Sequence, residues 1–221
     1  MSSFRVVVGI PSGSTWVAQF AVDVVNLVSN FTKKQVGLYS SQSLQVVNVR
    51  SSVLPQNRLD LVRAAKELKA SHLLFLDSDH TFPADLIHRL ASHHQQIVAA
   101  NCVTKTIPAT STARAFSEKE PRGIPIYSDP DSHGLEQVWR IGTGIMLVHM
   151  SVFDQIPEDC WEMRFLPGPK RYQGEDWAFC EACEKAGIPI FIDHDVSKLV
   201  GHVGNYEYTT AVIGEVQHVA R

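Results

Sequence analysis

The sequence predicts an α/β domain with a mainly parallel central sheet and a smaller mixed or antiparallel part behind it. Three observations carry this expectation. Strand and helix patterns alternate through about the first hundred residues, as a parallel sheet with helical crossovers requires. The apolar run LLFL (73–76) empties into Asp77-Ser78-Asp79. That puts carboxylates at the carboxyl end of a buried strand, where open α/β sheets bind ligands. From residue 104 the composition turns to Thr, Ser, Pro and Gly, and further β-prone runs follow.

The elements follow in order. RVVVGIP (5–11) is a β-branched run stopped by Gly9 and Pro11, a buried strand. Ser14 or Thr15 is placed to cap a helix whose apolar positions are Val17, Phe20, Ala21, Val24, Val25 and Val28. Residues 35–50 hold two β-prone patches, VGLY and LQVVNV, with a serine-rich turn between them. Pro55 opens a helix with Leu61, Ala64, Ala65 and Leu68 on its apolar face. LLFL is the next strand, PADLIHRLASH a helix and QIVAANCV a strand. Residues 104–135 read as loops with a short hairpin, and QVWRIGTGIMLVHM (137–150) as a β-prone run broken by Gly142 and Gly144. Residues 157–174 read as a mobile loop with exposed aromatics, EDWAFCEACEKAG as a helix ending at Gly187, and IPIFID as a last strand.

At 221 residues the chain suffices for one substantial core, and we expect one domain over 1–221. A formal charge of −3 without a long basic run argues against broad binding to a nucleic-acid backbone. Met1 is not followed by the charged and apolar segments of a signal peptide, and no apolar stretch is long enough to span a bilayer, so a cytoplasmic protein is expected. Cys180-x-x-Cys183 raises the possibility of zinc. Its helical setting lacks a knuckle turn, however, and its spacing to His194 and His202 fits no common module, so buried thiols are expected.

Two carboxylates at a buried strand end are costly to hold without a cation, and a divalent metal holding a phosphorylated ligand is the simplest reason for Asp77 and Asp79. Spacing alone does not select them, because Asp129-Pro130-Asp131 and Asp193-His194-Asp195 repeat it. The first of these lies in turn-rich sequence and reads as a solvated loop.

Together, DSD, GTGIMLVH, GEDWAF and HVGNY resemble in order and spacing the GT-A glycosyltransferases, especially short prokaryotic and phage-type members related to the large inverting family. The resemblance implies a single GT-A-like, Rossmann-like domain, with a nucleotide-binding half at about 1–103 and an acceptor-side half at about 104–221. It implies Mn²⁺, or Mg²⁺, held by Asp79 with His202, and Asp77 on the ribose or in the metal shell beside Ser78. The metal would bridge the phosphates of a nucleotide-sugar donor, a UDP-sugar by this pattern. Asp176 would take a proton from a hydroxyl acceptor in an inverting reaction, while Glu175 orients that acceptor and Trp177 or Trp161 stacks on a sugar. Gly142, Thr143 and Gly144 would line the site from below. Pro11 and Ser12 would lie in the nucleoside-contacting loop, and Asn57 and Arg58 would touch base or diphosphate. The chain departs from the family in having no acidic residue at the end of its second strand, in LYSSQS or VNVRSS, to read a uracil.

Each residue also has a plainer reading: Asp79 as a helix cap, Glu175 and Asp176 as dipole-favoured first-turn acids, and the glycines as a strand bulge. Two other functions fit part of the pattern. FLDSDHT with Thr104, Lys105 and FIDHD approximates a haloacid-dehalogenase-type phosphatase with Asp77 as nucleophile, but that motif normally sits on the first strand. A non-catalytic nucleotide-sugar-binding module would not need Asp176.

Overall fold

The computed structural model describes residues 3–37, 39–106 and 108–204. The elements run β1 (Ser3–Ser12), α1 (Ala18–Lys33), β2 (Ser41–Arg50), α2 (Leu54–Glu67), β3 (His72–Leu76), β4 (His80–Thr81), α3 (Leu86–Ala91) and β5 (Ile97–Ala99). Then come β6 (Arg114–Ala115), β7 (Ile124–Pro125), β8 (Leu135–Val138), β9 (Ile145–His149) and a 3₁₀ turn (Met150–Asp154). The last are β10 (Arg164–Leu166), β11 (Arg171–Gln173), α4 (Glu175–Lys185), β12 (Ile190–Asp193), α5 (His194–Ser197) and β13 (Gly201–His202). No helix among the described residues is long and apolar enough to cross a membrane.

Seven strands form the central sheet in the order β2-β1-β3-β9-β5-β12-β8. β1, β2, β3, β5 and β12 share one direction, while β9 runs against β3 and β5, and β8 against β12. The sheet is therefore mostly parallel but locally mixed, because GTGIMLVH delivers β9 between two strands of the parallel set. Alternation of side chains along a strand splits the core into two layers. Val7, Leu73, Phe75 and Met146 join Leu61, Val62, Phe153 and Phe179 on one face. Val6, Val8, Leu74 and Leu76 join Phe20, Leu27, Leu86 and Val196 on the other. All five residues of β3 are buried, and each of its Leu and Phe side chains contributes about 1.5–3 kcal/mol by leaving water. That burial fixes the strand whose end carries the acidic triplet.

Several local expectations fail for identifiable reasons. α1 has no Ser14 or Thr15 cap; Val17 is the N-cap residue without a side-chain bond, and its N–H donates to the Ser78 carbonyl at 3.1 Å. The buried stripe of α1 is Phe20, Asp23, Val24, Leu27 and Phe31, whereas Val25 is 66 % exposed. Asp23 tolerates burial because its carboxylate accepts from Gln19 Nε2 (2.9 Å) and Phe82 N (3.3 Å). α2 buries Asn57, Arg58, Leu61, Val62 and Ala65, and Leu68 lies in solvent. The VGLY patch makes no strand at its described residues, Leu38 lying outside them. The expected exposed aromatics of 157–174 hold for Phe165 and Tyr172 but not for Trp161, and part of the segment is a hairpin. Trp161 is 2 % exposed and stacks on Phe179 at 4.5 Å, so it is a core residue and not a sugar platform. What projects is the β10–β11 hairpin, with Phe165 and Tyr172 in solvent.

Candidate functional site

The acidic triplet leaves β3 in a turn, with Asp77 N donating to Gly144 O at 2.8 Å and His80 N to Asp77 O at 3.2 Å. His80 then enters β4, which pairs antiparallel with β13 so that His202 lies directly opposite His80. Directly paired residues share one face of a ribbon, and the two imidazoles stack at 4.2 Å. Asp79 sits between them, Oδ1 3.2 Å from His80 Nδ1 and Oδ2 3.5 Å from His202 Nε2. One ligand atom from each of Asp79, His80 and His202 lies within 4.8 Å of the others. Among the described residues this is where a metal ion could be held.

The chemistry of this donor set fits a divalent ion. His202 Nδ1 meets the Val103 carbonyl at 2.7 Å, which makes that nitrogen the donor and turns Nε2 toward Asp79. A metal-ligating histidine commonly donates its other ring N–H to a backbone carbonyl in this way. His80 Nδ1 is buried without a hydrogen-bond partner. Burial works against the Asp79 charge, but its contacts with His202, His80 and Lys105 outweigh it and hold the carboxyl well below the ordinary range. The Asp79 bond raises His202 above its usual value, against partial burial. A proton, a lysine and an imidazole thus gather on one carboxylate, the place a cation would take by releasing the proton. Lys105, which packs along Gly204, is hydrogen-bonded to Asp79 Oδ2.

Asp77 is absent from this trio. Its Oδ1 pairs with Arg58 Nη2 at 2.8 Å, and Arg58 is 1 % exposed. The guanidinium lies over the Phe75 ring at 5.3 Å, and its Nε and Nη1 have no partner. Arg58 therefore supports Asp77 from inside the core and is not available at the surface for a base or diphosphate; the expected metal role of Asp77 gives way to this pair. Asn57, also buried, donates to Ser51 O at 3.0 Å. Pro11 and Ser12 belong to β1 itself, and Ser12 Oγ accepts from Asn48 Nδ2 at 2.8 Å. Gly144 is required where it stands: a Cβ there would lie 2.7 Å from His80 Cε1 and 3.4 Å from Asp77 Oδ2. Gly142 instead adjoins Thr112, and Thr143 is buried with its hydroxyl unpartnered.

Asp176 stands in the first turn of α4. Burial, with the neighbouring Glu175 charge, pushes its pKa up to about 6, while the Trp177 N–H and the Arg58 charge pull it down. Trp177 N donates to Asp176 Oδ1 at 2.7 Å, and a Cβ at Gly174 would lie 2.8 Å from that oxygen. Trp177 is half-buried against Trp139 at 5.9 Å. The four cysteines are buried free thiols, with burial pushing Cys160 and Cys180 up to about 12. Asp129 spends its carboxylate on Asp131, Ser132 and their turn. Asp193 caps α5 and meets His93 at 2.7 Å. Of the HVGNY motif, Asn205 and Tyr206 lie outside the described residues.

Sequence reasoning missed His80. The adjacency of His80 to DSD was visible, but its alignment with His202 depends on a ribbon joining segments about 120 residues apart.

No protein-family model matches the chain, and no curated protein does. Among solved structures it is similar to the crystal structure of A197 from STIV, at 16 % identity and a TM-score of 0.52, covering 93 % of this chain and 97 % of that one. The likeness extends over the whole fold and supports a Rossmann-like α/β architecture.

Proposed function

We propose that the chain is a metal-dependent glycosyltransferase of the GT-A type, moving a sugar from a nucleotide-sugar donor to a hydroxyl acceptor with inversion. The observation that carries this reading is the Asp79–His80–His202 trio at the carboxyl end of β3, with the titratable Asp176 as a separate carboxylate. Asp79, His80 and His202 would hold Mn²⁺ or Mg²⁺, and the mixed imidazole and carboxylate set favours Mn²⁺. When bound, the ion neutralises charge on a departing nucleoside diphosphate.

The chain's own residues supply the rest. Arg58 pairs with Asp77 at the end of β3, and Gly144 admits the His80 ring. Asp176 accepts the proton of the acceptor hydroxyl as its oxygen bonds to the anomeric carbon, whose bond to the diphosphate oxygen breaks with the electron pair leaving on phosphate. A carboxylate with a pKa near 6 is ionised at neutral pH yet basic enough to share that proton in the transition state. A phosphatase using Asp77 is disfavoured because its carboxylate is held by Arg58, and Lys105 engages Asp79 instead. Asp193 is occupied as a helix cap. A non-catalytic module leaves the raised Asp176 without a role.

Calorimetric titration of UDP and other nucleoside diphosphates, with and without Mn²⁺, tests the reading. Binding should require Mn²⁺ and be lost in Asp79→Ala and His202→Ala, with His80→Ala weakening it at least tenfold. Metal-independent binding, or parent-like affinity in all three variants, refutes the metal centre.

A further inference from the structure

Beside Asp176 lies a cavity of about 240 Å³ whose wall includes Arg114, Arg122, Arg171, Tyr172 and Trp177. Three separate segments bring the arginines together: Arg114 lies on β6, Arg122 in the turn before β7, and Arg171 on β11. Five of the chain's other arginines, Arg58, Arg63, Arg89, Arg140 and Arg164, are paired locally with carboxylates. Among the described residues, none lies within ion-pair distance of Arg114, Arg122 or Arg171. Arg171 Nε is buried and has no hydrogen-bond partner, and its guanidinium faces the Trp177 ring at 5.8 Å. Three guanidinium groups lining one small cavity repel one another, and the single Asp176 charge leaves a surplus of positive charge.

We propose that this cavity is an acceptor subsite for a phosphate group, so that the acceptor carries a phosphate ester a few atoms from the hydroxyl that reacts. The proposal rests on the glycosyltransferase reading and specifies its acceptor. Guanidinium forks match phosphate oxygens in pairs, and three of them suit a dianionic group with three terminal oxygens better than a carboxylate. The cavity falls below the size of pockets that enclose drug-sized ligands, so it accommodates the phosphate and a short carbon chain. Holding the phosphate at the arginines leaves the ester's free hydroxyl directed along the wall toward Asp176. The arginines also shield that carboxylate from the phosphate charge, which would otherwise suppress its ionisation.

The test is calorimetric titration of the full chain in EDTA without nucleotide, using inorganic phosphate, glycerol 3-phosphate, glycerol and acetate. Phosphate and glycerol 3-phosphate should bind, glycerol should not, and acetate should bind at least tenfold more weakly. Arg114→Gln and Arg171→Gln should each weaken glycerol 3-phosphate binding about tenfold, without changing Mn²⁺-dependent diphosphate binding. Vesicles of phosphatidylcholine with phosphatidic acid, compared with soluble glycerol 3-phosphate, distinguish a lipid-borne ester from a free one; binding to either supports the subsite. Equal affinity for glycerol, no phosphate binding, or unchanged affinity in both variants overturns the proposal. Because nucleotide and metal are omitted, failure here leaves the Asp79–His80–His202 reading standing. Failure of the metal titration leaves phosphate binding at the arginines intact.

Discussion

Asp176→Asn should make the protein more stable at pH 8 while eliminating transfer. The Asp176 carboxyl is raised from 3.8 to about 6, chiefly by burial and then by Glu175. A folded-state value above the unfolded one means that the native protein binds the proton more tightly. Stability is therefore lost as pH rises from about 4 through 6, and the loss is complete above that window. Two units at about 1.4 kcal/mol each give an upper bound of about 3 kcal/mol. Solvent retained at the carboxylate brings the expectation to about 2 kcal/mol. Asparagine has nearly the same shape, can still accept from the Trp177 N–H, and does not titrate. Urea unfolding of parent and variant at pH 4 and pH 8 measures the difference: near zero at pH 4 and about 2 kcal/mol in favour of asparagine at pH 8. Single-turnover transfer at pH 8 should fall by about 10²–10⁴-fold. A variant no more stable at pH 8, or one that transfers normally, refutes the assignment of Asp176 as a strained base.

Arg58→Met should cost about 3 kcal/mol in urea unfolding, because it leaves Asp77 without its buried partner; adding Asp77→Asn should recover part of the loss. A cost under 1 kcal/mol would mean that the pair does not hold the strand end. Gly144→Ala should lower Mn²⁺ affinity at least tenfold by calorimetry, since the new methyl would fall 2.9 Å from His80 Nε2 and that ring is 3 % exposed; unchanged affinity would remove His80 from the metal set. Trp161→Ala should destabilise by about 3–5 kcal/mol and leave diphosphate binding unchanged in the folded protein, whereas a selective loss of binding would restore Trp161 to the sugar site.

Features written in local sequence were legible, and those written by long-range pairing were not. LLFL, the β-branched first strand, Pro55 at a helix start and the left-handed Gly187 after α4 (φ +71°) all declare themselves within a few residues. The direction of β9 does not. Its alternation reads the same in either sense, and only its pairing with β3 and β5 sets it antiparallel. Helix faces were misread where a polar residue is buried with a partner from another segment. Asp23 bonds to Phe82 N, and Arg58 to Asp77. Hydropathy assigns both to solvent, yet each lies in the packed interior. The same cause hid His80, whose partner residue arrives from β13.

What the fold adds is a division of labour among carboxylates that sequence spacing treats alike. Asp79 is contacted by two imidazoles and a lysine, and is held charged far below neutral pH. Asp176 has one backbone donor, a neighbouring negative charge and a buried setting, and stays near 6. Environments that push the pKa values of two acids apart also separate their uses: on the proposed reading the first would hold the cation, and the second would exchange the acceptor's proton. Arg58 acts on two carboxylates. It pairs directly with Asp77 at the end of β3, and its charge also reaches Asp176. An arginine hidden inside α2 thereby ties the electrostatics of the β3 end to those of α4.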